Sequence, residues 1–89
     1  MNGTKVYVAV RVLYKADGVM IPRSITWEDN EYKIDKVTQI LQASSMRSGD
    51  LGDRYTIYVN GRQSYLYFER SSNLTGSYIG RWAVQRRGA

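Results

Sequence analysis

The 89 residues are enough for one domain but not for two, and a content of 43% hydrophobic and 24% charged residues is typical of a globular protein. Cysteine and histidine are both absent, which excludes disulfides, thiol nucleophiles and the usual zinc sites and removes the most common general base. We therefore expect a single domain over residues 1–89 that is not an enzyme and has no catalytic residue, cofactor or metal.

The net charge of +5 is unevenly distributed along the chain. Residues 1–53 are neutral overall, whereas residues 54–89 contain six arginines and a single acidic residue, Glu69. Arginine makes planar contacts with phosphate, carboxylate and aromatic groups, so this excess indicates either an anionic partner or a solubilising cationic surface.

The apolar residues are too scattered for a membrane protein. No segment is long and apolar enough to span a bilayer, and the first 15 residues lack the basic leader and apolar run of a signal peptide. We therefore expect a cytoplasmic protein with no membrane association.

The first predicted element is a half-buried strand over residues 5–15, where apolar and polar side chains alternate with period two. The Asp17-Gly18 pair predicts a two-residue type I′ turn that leads into a second strand. The inward side chains of the first strand are then Val6, Val8, Val10 and Val12.

The second strand continues to Trp27 and has an irregular centre. In the predicted register Val10 faces Ile25 and Val8 faces Trp27. Pro22 has no N–H to donate to a β-ladder, so it should lie at a strand edge or at a bulge near Arg23.

A second tight turn is predicted at Asp29-Asn30, which would place Ile34 opposite Ile25 and complete a three-stranded meander. The following residues, 36–43, fit either a helix or a strand. We favour one long bent strand with a bulge at about residues 35–37.

The clearest element is a hairpin of residues 54–59 and 62–69 around Asn60-Gly61, the strongest short hairpin signal. Polar segments at 44–53 and 71–77 predict loops on either side of it. A final strand contains Trp82 and Val84. The inward residues of the hairpin are Tyr55, Ile57, Val59, Leu66 and Phe68.

About six short strands without a clear helix predict an all-β fold, a small antiparallel barrel that is SH3-like. The core should extend over about residues 4–86. The arginine-rich C-terminus should be frayed.

Three runs, DGVMIPRSITWEDNEYKIDKV, GDRYTIYVNGRQSYLYFE and GRWAV, resemble small bacterial proteins of a family with no assigned function. That family often has Trp-Glu-Asp-Gly where this chain has Trp27-Glu28-Asp29-Asn30. Asn30 is compatible with the same turn because asparagine tolerates the left-handed region. The resemblance covers most of the chain and rests on turns and core aromatic residues, so it implies a compact β-barrel of bacterial origin and no binding or catalytic residue.

The candidate binding residues lie on the hairpin around Asn60-Gly61. Alternation along the two strands places the side chains of three tyrosines and one arginine on the outer side of the hairpin. A further arginine lies beside the turn. Aromatic faces can stack on nucleic-acid bases while arginine contacts phosphate, and both residue types are also enriched in protein interfaces. The predicted binding residues are Arg54, Tyr58, Arg62, Tyr65 and Tyr67.

A simpler interpretation of the same residues is structural. Tyrosine is a good strand former whose ring covers its neighbours while its hydroxyl stays in water. Likewise Trp27 and Trp82 could line a peptide groove, but their inward parity favours core packing. The acidic side chains around Glu28 favour a solvated turn over a metal site.

These observations leave two functional hypotheses open. The first is a non-catalytic binding module that uses the Tyr/Arg face to contact a protein partner or a second copy of itself. The alternative is weak, sequence-tolerant binding of RNA or single-stranded DNA through the same face.

Overall fold

The computed structural model describes residues 4–42, 52–70 and 79–86, and every regular element in these ranges is a β-strand. The all-β prediction is confirmed, with seven strands where about six were expected. Within the described ranges, no helix is long and apolar enough to cross a membrane. The strands are β1 (Thr4–Tyr14), β2 (Met20–Trp27), β3 (Asn30–Lys33), β4 (Lys36–Leu41), β5 (Asp53–Val59), β6 (Arg62–Arg70) and β7 (Gly80–Arg86).

All seven strands belong to one antiparallel sheet with the order β3-β2-β1-β7-β6-β5-β4, curled into a half-barrel. The two edge strands, β3 and β4, follow each other in the chain and are joined by Ile34 and Asp35. The N–H of Ile34 donates to the carbonyl of Arg23 in β2 (2.9 Å), while the N–H of Asp35 donates to the carbonyl of Tyr58 in β5 (2.7 Å). Two successive residues thus bond to opposite ends of the sheet, which draws these ends together.

The predicted long bent strand after residue 30 exists as two strands, β3 and β4, on either side of this switch. Residues 36–41 are strand, so the helical alternative is wrong for them. The bulge lies at Thr38, between the pairs that Val37 and Gln39 make with β5, slightly later than predicted.

The connection between β1 and β2 differs from the predicted two-residue turn. The N–H of Lys15 donates to the carbonyl of Val19 (2.8 Å), and the N–H of Gly18 donates to the carbonyl of Lys15 (2.9 Å). Gly18 is the one residue of this turn with positive φ, at 92°. The loop therefore has three residues, a tight turn followed by a glycine in the left-handed region.

The bulge predicted near Arg23 compensates for this longer loop. At Arg23 the pairing of β2 with β1 shifts by one residue, and Pro22 lies directly beside the shift. The shift restores the register inferred from the hydrophobic pattern, in which Val10 faces Ile25. A bulge also removes the need for a ladder donor at a proline.

The turn between β2 and β3 lies at Glu28-Asp29, one residue before its predicted position. Both residues have positive φ, 49° and 68°, as a type I′ turn requires. Ile25 consequently faces Tyr32, where Ile34 was predicted. The displacement is two residues, so the inward side chains remain inward.

The β5–β6 hairpin has the predicted register throughout. Asn60 and Gly61 form its turn with φ of 52° and 77°, and Tyr55 faces Leu66. The predicted loops at 44–53 and 71–77 lie outside the described residues, except that Gly52 is described and Asp53 begins β5. The C-terminal residues 87–89 also lie outside them.

The core fills the inside of the curl. Trp82 is at its centre, with its ring centroid 5.0 Å from that of Tyr55 and 4.9 Å from that of Phe68. The predicted inward residues Val59 and Val84 are half-buried against it. The buried members are Ile25, Ile34, Tyr55, Ile57, Leu66, Phe68 and Trp82.

Candidate functional site

The outer face of β5, β6, β7 and β1 contains the predicted tyrosines. The strand register aligns Arg54 with Tyr67, Tyr67 with Ala83, and Ala83 with Tyr7 in one row across four strands. The structure therefore places two predicted residues, Arg54 and Tyr67, side by side and adds Tyr7 from the start of the chain.

Neighbouring rows contain the other predicted tyrosines. Tyr65 faces Thr56, and Tyr58 lies between Gln63 on one side and Lys36 on the other. Since these residues share the parity of Arg54 and Tyr67, all belong to one surface. We call it the outer face; it comprises Lys5, Tyr7, Lys36, Arg54, Tyr58, Gln63, Tyr65, Tyr67, Glu69 and Arg81.

Two tyrosines of the hairpin each have a cation beside one side of the ring. The guanidinium carbon of Arg54 lies 4.6 Å from the ring centroid of Tyr65, and the ammonium of Lys36 lies 4.7 Å from that of Tyr58. Both distances are within the range of a cation–π interaction. These contacts favour the observed position of each cation over its ring.

The hydroxyls of the same two tyrosines are linked through one amide. The hydroxyl of Tyr58 donates to Oε1 of Gln63 (3.2 Å), and Nε2 of Gln63 donates to the hydroxyl of Tyr65 (3.3 Å). Each of these side chains thus loses rotational freedom through a neighbour. These contacts favour one arrangement of the hairpin part of the outer face.

At the other end of the outer face, Glu69 is surrounded by donors from two other strands. Its carboxylate accepts from the ammonium of Lys5 (2.6 Å), the hydroxyl of Tyr7 (2.7 Å) and the guanidinium of Arg81 (3.1 Å). The ring of Tyr7 also lies 4.0 Å from the guanidinium carbon of Arg81. The hydrogen bonds from Lys5 and Tyr7 lower the pKa of Glu69, and the hydrogen bond to Glu69 raises the pKa of Lys5.

Because the pKa of Glu69 is lower in the folded state, its charge stabilises the fold above the ordinary glutamate pKa, and this contribution is lost as pH falls through the lowered value. We expect Glu69→Gln to reduce the free energy of unfolding by about 1 kcal/mol at pH 7, given the partial exposure of the network. The difference from wild type should vanish toward pH 2, where both side chains are neutral.

Urea denaturation at a series of pH values measures this effect. The pKa of Glu31 is also lowered, by hydrogen bonding to Ser24 and by Arg11, so Glu31 adds to the loss of stability in acid. In Glu69→Gln the free energy of unfolding should therefore depend less steeply on pH below the ordinary glutamate pKa, but the dependence should not disappear. Glu28→Gln is the matched control, because Glu28 is exposed and forms no ion pair with any described residue. A loss at pH 7 that persists unchanged in acid would contradict the role of the Glu69 charge.

The outer face is only partly open to solvent. Tyr65 is 37% exposed and Tyr7 is 41% exposed, whereas Thr56 and Ala83, which lie between the large side chains, are buried. The tyrosines therefore cover the small residues of the sheet and still present part of each ring. Both the structural and the binding interpretations of these tyrosines find support in this arrangement.

Arg54 differs from the other cations of the outer face in having a buried donor atom. It is half-buried, and its Nε is buried without a hydrogen-bond partner among the described residues. A buried guanidinium donor without an acceptor is costly, so this arrangement of Arg54 is less favourable than one in which Nε is hydrogen-bonded.

Arg62, the fifth predicted binding residue, does not lie on the outer face with the other four. Arg62 faces Val59, and both share the parity of Ile57 and Leu66, which point into the core. The side chain of Arg62 is exposed because it lies at the open end of the curl, on the other side of the sheet from the outer face.

Sequence reasoning missed the four residues that strands outside the hairpin contribute to the outer face: Lys5, Tyr7, Lys36 and Arg81. The alternation of the first strand already indicated outward parity for Tyr7. The missing information was the strand order, which places β1 beside β7 and β4 beside β5.

Comparison of this chain with family models, with curated proteins and with solved structures found no match in any of the three. The resemblance to a bacterial β-barrel family consequently stays a prediction, and any assignment of function depends on the geometry of the site.

Proposed function

We propose that this protein is a non-catalytic binding module whose outer face contacts a polypeptide, either a partner protein or a second copy. The observation that supports it most is the ordered arrangement of Tyr58, Gln63 and Tyr65 with their cations Lys36 and Arg54. The predicted cytoplasmic location and bacterial origin are part of the proposal.

Tyrosine and arginine are the side chains that most often dominate the energy of protein interfaces. Their rings and guanidinium groups bury a large area, and side chains that are ordered before binding lose less entropy on association. A half-exposed ring with a fixed hydroxyl suits a partner that has both apolar and polar groups.

Binding of single-stranded nucleic acid through the same face is the second candidate. It is supported by the charge of the outer face, whose cations Lys5, Lys36, Arg54 and Arg81 exceed its one carboxylate, Glu69. A base, however, needs an open side of a ring, and one side of each of Tyr7, Tyr58 and Tyr65 already has a cation next to it. We therefore rank a polypeptide partner first.

Site-specific photocrosslinking in the native cell tests the first candidate. With a photoreactive phenylalanine analogue in place of Tyr65, we expect a discrete protein adduct. The adduct should be lost when Arg54→Ala is added, because Arg54 is part of the proposed contact surface. The matched control position is Tyr14, which is 71% exposed and lies at the end of β1, away from the outer face.

The two candidates differ in their response to salt. Binding of a mixed-sequence single-stranded RNA, followed by NMR, should weaken steeply as salt rises if phosphates contact Lys36 and Arg54. If RNA binds at Tyr58 and Tyr65 in a salt-sensitive manner and no protein adduct forms, nucleic-acid binding would rank above a polypeptide partner. Equal adducts at positions 65 and 14 would remove the outer face as the site.

A further inference from the structure

A second surface of the molecule lies at the open end of the curl and is separate from the outer face. An open cleft of about 270 Å³ runs into the inner side of the sheet there. Its walls come from the β2–β3 hairpin on one side and from β5, β6 and β7 on the other. The lining residues are Ile25, Trp27, Tyr32, Ile57, Val59, Ser64, Val84 and Gln85.

The strand beside this cleft, β3, has a free edge. It pairs with β2 and with no other described strand. Trp27 and Asn30 close a two-residue turn and so form a hydrogen-bonded pair, and in an antiparallel ladder such pairs alternate with pairs that do not bond. The N–H and C=O groups of Glu31 and Lys33 therefore point away from β2, and no described residue pairs with them.

Tyr32 lies between Glu31 and Lys33, so its side chain is on the opposite face of the strand from theirs. This side chain lines the cleft. A strand added along Glu31 and Lys33 would consequently place alternate side chains over the cleft next to Tyr32. The free edge supplies backbone hydrogen bonds, and the cleft supplies a place for an apolar side chain.

The opposite edge of the sheet, on β4, is less suited to this role. The bulge at Thr38 interrupts its regular spacing. Bulges in an edge strand are a common means of preventing the addition of another strand. β3 contains no such irregularity in its pairing with β2.

The charges near β3 define the partner further. Glu28 and Asp29 at the turn are exposed, and neither forms an ion pair with a described residue. Glu31, in contrast, is bound to Nε of Arg11 (2.9 Å) and accepts from the hydroxyl of Ser24 (2.6 Å). The turn end of β3 thus offers to a cationic side chain two carboxylates that form no ion pair within the described part of the chain.

We infer that β3 and the cleft form a docking site for an extended polypeptide segment in which apolar and basic residues alternate. The segment adds a strand along Glu31 and Lys33, inserts an apolar side chain beside Trp27 and Tyr32, and places a basic residue near Glu28 and Asp29. This docking site does not include the outer face, so a test of one surface does not decide the role of the other.

An NMR titration of the full chain tests this inference. The probe is a capped hexapeptide in which leucine alternates with arginine. We expect saturable shifts of the Glu31 and Lys33 amides, the Trp27 indole and the Val59 methyls, and none on Tyr65. Two control peptides separate the contributions: one is N-methylated at alternate amides, and the other has glutamate in place of arginine. Each control peptide should bind with an affinity at least about tenfold lower than that of the probe.

Protein variants test the two parts of the site separately. Lys33→Pro removes an N–H that points away from β2 and leaves the fold's own ladder bonds in place, and it should weaken binding about tenfold relative to Lys33→Ala. Ser64→Phe should fill the cleft and abolish the Trp27 shift. Each variant is compared with wild type by circular dichroism, and the peptide controls remain informative if one variant does not fold.

Three results would overturn the inference. The first is the absence of saturable shifts at millimolar peptide. The second is unchanged affinity of folded Lys33→Pro or of the N-methylated peptide, since either means that the edge of β3 makes no bonds. The third is shifts on Tyr58 and Tyr65 instead, which would assign the peptide to the outer face.

Discussion

Replacing Trp82 with alanine is expected to lower the free energy of unfolding by about 4 kcal/mol, because a large buried aromatic side chain leaves a cavity that its neighbours cannot fill. Trp82 is 9% exposed and contacts the rings of Tyr55 and Phe68, so its loss removes two aromatic contacts as well as apolar burial. For a domain of this size, the melting temperature should fall by roughly 20 °C, which thermal unfolding by circular dichroism measures.

The other tryptophan provides the matched control. Trp27 is half-buried at the open cleft, where solvent already reaches part of the ring, so Trp27→Ala should cost about 2 kcal/mol or less. Each variant keeps one tryptophan as a fluorescence probe of unfolding. Equal destabilisation by the two substitutions would mean that the core is not centred on Trp82.

The β5–β6 hairpin could be predicted completely because its information is local. Asn60 and Gly61 both tolerate positive φ, which fixes a two-residue turn, and the turn then fixes every pair along the two strands. Four of the five predicted binding residues lie on this hairpin with the correct parity. The fifth, Arg62, lies beside the turn with its side chain on the inner side of the sheet.

The β2–β3 turn shows the limit of hydrophobic patterning. Asparagine accepts positive φ more readily than glutamate, so local preference favoured a turn that includes Asn30. The structure uses Glu28-Asp29, which displaces the pairing by two residues. A displacement of two leaves all inward residues inward, so the pattern of apolar side chains cannot distinguish the two registers.

The extent of the outer face could not be predicted for a different reason. Tyr7 and Arg81 belong to strands that are far apart in the chain, and they meet Glu69 because β1 and β6 both lie beside β7. Period-two alternation gives the parity of each strand but not the order of strands in the sheet. The charged network around Glu69 therefore depends on topology, which the residue pattern leaves undetermined.

Gly52→Ala should destabilise the fold by about 3 kcal/mol through two effects that act together. The φ of Gly52 is 135°, a conformation that residues with a side chain rarely adopt, and such strain costs on the order of 1–3 kcal/mol. A Cβ at this position would lie 2.5 Å from the carbonyl oxygen of Phe68 and 3.0 Å from its carbonyl carbon. Both are backbone atoms of β6, so relief of the overlap requires movement of the strand.

Gly18→Ala separates the two effects. Gly18 has a φ of 92°, yet a Cβ there would have no atom within 4 Å, so the backbone strain remains and the overlap does not. We expect it to cost about 1 kcal/mol in the same urea denaturation experiment. Since Asp53, next to Gly52, pairs with Phe68 at the start of β5, only Gly52→Ala should also perturb the amide shifts of Arg54 and Tyr67 on the outer face. If both substitutions lower the free energy of unfolding equally, the backbone of β6 moves away from the added Cβ at no energetic cost. In that case the junction before β5 does not fix the position of Arg54.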